Sequence, residues 1–88
     1  GEEWMTCGDE GIRLDRSQIR VAHPAIATRV IRSAAGRLMP ADRRELTFER
    51  IESVRTAASG RNGALIELPY RVVVTIERDA VIFRRRND

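Results

Sequence analysis

Tyr70-Arg71-Val72-Val73-Val74-Thr75-Ile76-Glu77 alternates at a period of two, with Val72, Val74 and Ile76 on one side and Arg71, Thr75 and Glu77 on the other. That period predicts a strand with one buried face. Arg78-Asp79 reads as a hairpin turn, and Val81 to Arg85 returns as the last strand. Upstream, Ala64 to Leu68 is a short strand stopped by Pro69, and Arg61-Asn62-Gly63 is a turn.

The two segments before these strands carry a different period. After His23-Pro24, the residues Ile26, Ala27, Val30, Ile31, Ala34, Ala35 and Leu38 recur at helical spacing and fill one side of the wheel. Proline suits a first helical turn, where its missing N–H needs no partner. Thr47 reads as the N-cap of a second helix, with Leu46 and Ile51 spaced as a hydrophobic staple. Phe48, Ile51, Val54 and Ala58 form its expected buried stripe, and Gly60 is the expected left-handed closing residue. Toward the N-terminus, Gly8-Asp9-Glu10-Gly11 is a turn between two extended pieces, and residues 15–18 form a second turn or short helical step. Strands grouped apart from helices predict an α+β fold: two helices packed on a small antiparallel sheet or hairpin, with an additional N-terminal extended segment.

Eighty-eight residues suit one domain, so residues 1–88 are read as a single accessory domain, a fragment of a larger protein. The composition, 42% hydrophobic and 33% charged, is that of a globular chain rather than a disordered one. No apolar run approaches the roughly 20 residues that span a bilayer, which predicts no membrane partner and a cytoplasmic location. The single cysteine, Cys7, makes neither an internal disulfide nor a cysteine-rich zinc site, and it reads as an ordinary half-buried residue. The single histidine, His23, stands before a proline with no nucleophile or carboxylate partner in view, and reads as structural. Neither a phosphate-binding glycine loop nor a metal-ligand spacing is present, so the expected catalytic, metal and cofactor sets of this segment are all empty.

The charge is more informative. All 16 basic residues are arginine, against 13 acids, for a net charge of +3. Guanidinium forks onto phosphate bidentately and stacks on bases, as a lysine ammonium does not. The first helix shows Arg29 and Arg32 outward, with Arg37 near its edge, and has no acid between Pro24 and Pro40. Arg84, Arg85 and Arg86 end the last strand. These six are the expected RNA-binding residues, acting on phosphates rather than on base sequence. Trp4, Phe48, Tyr70 and Phe83 are scattered, which predicts contact with a folded RNA rather than stacking of a single strand.

The order of segments resembles a known family. Leu14-Asp15, then Ile19, then His23 through Arg32, followed by a helix like Leu46 to Ala58 and a hairpin like Gly63 to Arg84, is similar to the domain that follows the catalytic domain in tRNA(Ile)-lysidine synthetases. The resemblance covers roughly residues 12–85; residues 1–11 have no counterpart, and the absence of lysine departs from the family's usual mixture. It implies a domain that helps hold tRNA while another domain of the same chain, carrying the ATP-pyrophosphatase loop, attaches lysine to an anticodon cytidine with ATP. That loop, serine-glycine-glycine-x-aspartate-serine, is absent here. It also implies that Arg29 and Arg32 occupy basic helix positions. The alternative is an interdomain or dimerisation module without RNA contact, in which the edge of the 70–85 hairpin pairs with a second copy.

Overall fold

The computed structural model describes residues 4–87. Its elements in chain order are β1 (Met5–Gly8), β2 (Gly11–Asp15), α1 (Arg16–Val21), α2 (Pro24–Gly36), α3 (Phe48–Ala58), β3 (Leu65–Leu68), β4 (Val72–Ile76) and β5 (Ala80–Arg85). The fold is α+β, as the segregated periods predict. The sheet is larger than a hairpin: five antiparallel strands in the order β1-β2-β5-β4-β3.

Strand register explains the two faces. Ile12 lies opposite Phe83, Leu14 opposite Val81, Val74 opposite Phe83 and Ile76 opposite Val81. These residues form one face and share a core with Ile19 of α1, with Ala27, Val30, Ile31, Ala34 and Ala35 of α2, and with Ile51, Val54 and Ala58 of α3. Fully burying each large aliphatic or aromatic side chain contributes about 1.5–3 kcal/mol. On the opposite face Val73 and Ile82 are also buried. Arg84 and Arg13 stand directly across from them in the register, where arginine stems can cover apolar surface.

The β1–β2 hairpin needs Gly11. Its φ is 119°, and an added Cβ would collide with the Phe83 carbonyl oxygen. The Arg78-Asp79 turn forms as read, with Glu77 and Ala80 exchanging backbone hydrogen bonds.

Five readings need correction. Phe48 is 61% exposed, because it is the first residue of α3 and precedes the turn that faces the core. Ile26 is exposed for the same reason at the start of α2. Gly60 is not left-handed; α3 closes with a tightened turn in which Ser59 N–H donates to Thr56 O and Gly60 N–H to Ala57 O. Cys7 is exposed, because it lies on edge strand β1. The 70–85 hairpin offers no free edge: β4 is paired with β3 and β5 with β2, so the edges belong to β1 and β3.

Residues 15–18 open a true helix. The Asp15 carboxylate accepts from Ser17 N–H and Gln18 N–H, and from the Ser17 hydroxyl at 2.8 Å. The Ser17 hydroxyl first, and then the Gln18 N–H, hold the Asp15 carboxyl below its ordinary 3.8. A carboxylate whose folded pKa is lowered stabilises the fold above its unfolded value and loses that contribution as pH falls through the folded one. Asp15→Ala is therefore expected to melt at a lower temperature than the parent at pH 7. The gap should close as pH drops below the carboxylate range. A gap of the same size at pH 7 and pH 2 would refute the assignment.

Candidate nucleic-acid interface

The helical period puts Arg29 and Arg32 on the solvent side of α2, and both are exposed. They differ in what they touch. The Arg29 side chain makes no hydrogen bond or ion pair among the described residues, whereas Arg32 Nη1 donates to Leu46 O at 3.2 Å, tying α2 to the segment that enters α3. Arg37 is the C-cap of α2, where the helix carbonyls favour a cation. Its Nη1 lies 3.6 Å from Cys7 Sγ on β1.

A strand sends successive side chains to opposite faces, so the terminal arginine run divides. Arg84 pairs with Val73 on the sheet face away from the helices, near Asp9, Glu10 and Glu77. Arg85 pairs with Val72 on the helix side. Arg86 lies beyond the strand, with its guanidinium 3.7 Å from the Glu67 carboxylate and its N–H donating to Arg71 O. Such an exposed pair contributes little.

The β3–β4 connection supplies what the sequence reading missed. Leu68 pairs with Val72, so Pro69, Tyr70 and Arg71 are a loop and not the start of a strand. Tyr70 (φ 64°) and Arg71 (φ 66°) are both left-handed, as in a type I′ turn. That turn ordinarily takes Asn or Gly, because a Cβ makes the left-handed region unfavourable by roughly 1–2 kcal/mol per residue. The surroundings hold the turn in place: Glu45 N–H donates to Tyr70 Oη at 3.2 Å, and Arg86 N–H donates to Arg71 O at 2.9 Å. Strain of this kind concentrates at functional positions.

These placements bring three distant arginines together. Arg37, Arg71 and Arg85 line a depression of 670 Å³, with Tyr70 in its wall and residues 38–40 completing it. Among the described residues, no carboxylate lines it. Of the six arginines read as RNA-binding, two (Arg37 and Arg85) meet here. Arg29 and Arg32 lie along α2, Arg84 faces the other way, and Arg86 is engaged with Glu67. The length of the apolar runs is the signal that could have exposed Arg71: residues 65–68 and 72–76 match as strands only if 69–71 turn.

α3 carries two acids, Glu49 and Glu52, against two arginines, Arg50 and Arg55. Its Glu52 carboxylate forks onto the Arg55 guanidinium at 2.8 and 2.9 Å, which lowers the Glu52 pKa and raises that of Arg55. His23 caps α2, with Nδ1 accepting Ala25 N–H at 3.0 Å. No group of three or more potential metal ligands occurs among the described residues, and no helix among them is long and apolar enough to cross a membrane. No family model matches the sequence, and no curated protein or solved structure matches it.

Proposed function

We propose that this chain is a non-catalytic RNA-binding domain that holds tRNA for a catalytic domain of the same protein, the role implied by its resemblance to lysidine synthetases. The observation that carries the reading is the convergence of Arg37, Arg71 and Arg85, from three distant parts of the chain, on one depression. Three converging arginines suit bridging phosphates of a folded backbone. Arg29 extends the basic surface along α2, while Arg32 acts by fixing the approach to α3. ATP and the ligase chemistry belong to the catalytic domain, and in this reading the protein works in the cytoplasm.

A titration of the chain with isoleucine tRNA and an unrelated tRNA, at two salt concentrations, tests this. Binding is expected to saturate and to weaken as salt rises, since phosphate contacts release counterions. Tighter binding of the isoleucine tRNA would add specificity to the role. Absence of binding to either tRNA at low salt would rule the proposal out for this chain.

A further inference from the structure

A second concavity lies at the opposite end of the strands. Its volume is 540 Å³, within the range of small-ligand sites. Four separate parts of the chain supply its walls: Trp4 before β1, Arg13 and Asp15 on β2, Arg20 on α1, and Arg78 and Asp79 in the β4–β5 turn. Trp4 is half-buried, with its apolar body against the core, so the indole is anchored and not a freely moving surface group.

The charges in this concavity are unequally committed. The Asp15 carboxylate is used by Ser17 and Gln18 at the start of α1, and Arg13 lies close enough to act on it electrostatically. Arg16, also at the wall, turns its guanidinium inward and gives its donors to Ala58, Asn62, Glu77 and Gly60. The Arg20 and Arg78 side chains make no hydrogen bond or ion pair among the described residues, although Asp79 lines the same space. Among the described residues, the site therefore presents one anchored indole beside two uncommitted guanidinium groups.

We propose that this concavity takes one nucleotide, with the base against Trp4 and the phosphate on Arg20 and Arg78. An indole offers a π-face to any base, worth about 1–3 kcal/mol per stacked base, and arginine forks match phosphate oxygens. The combination favours a nucleotide over a simple anion, which would gain nothing from the indole, and over a phosphopeptide, which lacks a planar base. The nucleotide can be free or can be an unstacked residue of an RNA, and the site stands independently of the Arg37 depression.

Trp4 is the only tryptophan, so its fluorescence reports on this site alone. The experiment titrates the chain with adenosine 5′-monophosphate, a short single-stranded oligoribonucleotide, inorganic phosphate and a phosphoserine peptide. Saturable quenching by the monophosphate and the oligonucleotide, weakened about tenfold or more in Arg20→Gln/Arg78→Gln, is the expected result. Quenching by the oligonucleotide alone also supports the site and assigns it to RNA. Arg37→Gln/Arg85→Gln should leave the quenching intact, which separates this site from the tRNA-holding reading. No quenching by either nucleotide, quenching unchanged in the Arg20/Arg78 variant, or stronger quenching by phosphate or the phosphopeptide would overturn it.

Discussion

Arg16→Met is expected to destabilise the domain by about 3–5 kcal/mol, the largest effect of any arginine substitution in this chain. Arg16 is 4% exposed and has no carboxylate partner among the described residues. Its Nε donates to Ala58 O at 2.8 Å and Nη2 to Gly60 O at 2.7 Å, while Nη1 reaches Glu77 O at 2.9 Å and Asn62 Oδ1. Ala58 ends α3, so its carbonyl is one of those the helix leaves without an internal partner. Arg16 thus caps a helix 42 residues away in the chain and ties α1, the end of α3 and the end of β4 to one another. Methionine fills similar space but leaves the Ala58 and Gly60 carbonyls without a donor, each at about 1–3 kcal/mol if it stays dry, while the Glu77 carbonyl keeps only the Ala80 N–H. A domain of this size has only about 4–13 kcal/mol in total, at roughly 0.05–0.15 kcal/mol per residue. At about 4–8 °C per kcal/mol the melting temperature should fall by more than about 12 °C. Arg16→Lys should lie between, since an ammonium keeps the charge but cannot reach four acceptors from one plane. Circular-dichroism melts check the series, with Arg29→Met as the solvent-exposed control. A drop below about 5 °C for Arg16→Met would mean that water replaces the guanidinium without penalty.

The second large effect concerns binding. Replacing Arg37, Arg71 and Arg85 together with glutamine should reduce tRNA affinity about 100-fold or more at 0.1 M salt. It should also flatten the slope of log affinity against log salt by about 2–3. Both figures follow from a slope of about 0.7–0.9 per phosphate neutralised, which amounts to nearly a decade per contact at 0.1 M. Arg84→Gln, on the opposite sheet face, is expected to change neither quantity appreciably. Arg71→Gly separates binding from folding: it removes the guanidinium while relieving a left-handed Cβ (φ 66°). A melt that stays cooperative while affinity falls separates the two effects. An unchanged salt slope in the triple variant would remove these residues from the interface whatever the stability result.

The helices α2 and α3, the N-terminal hairpin and the α+β class were legible because each rests on a local pattern. Leu46 and Ile51 are 2% and 1% exposed, as a staple at that spacing requires, and Thr47 caps α3 through its hydroxyl. Phe48 was misread because its position along the helix, not its face of the wheel, decides its exposure. The terminal arginine run and a last strand through Arg85 were both legible; which of its arginines lies on the helix side depends on the pairing of β5 with β4.

What the sequence determined by itself is what neighbours within about four residues decide: periods of two and 3.6, caps, and the glycine turns at Gly11 and Gly63. What only the tertiary structure decided is which distant residues meet. Arg16 could have been a surface arginine, and it turns inward because the end of α3 presents open carbonyls beside β4. Tyr70 and Arg71 have no local preference for left-handed backbone; the pairing of β3 with β4 leaves three residues to reverse the chain and forces it. The meeting of Arg37, Arg71 and Arg85 follows from strand order and register, and these are set by burying one face of the whole sheet under three helices rather than by any local preference of the arginines themselves.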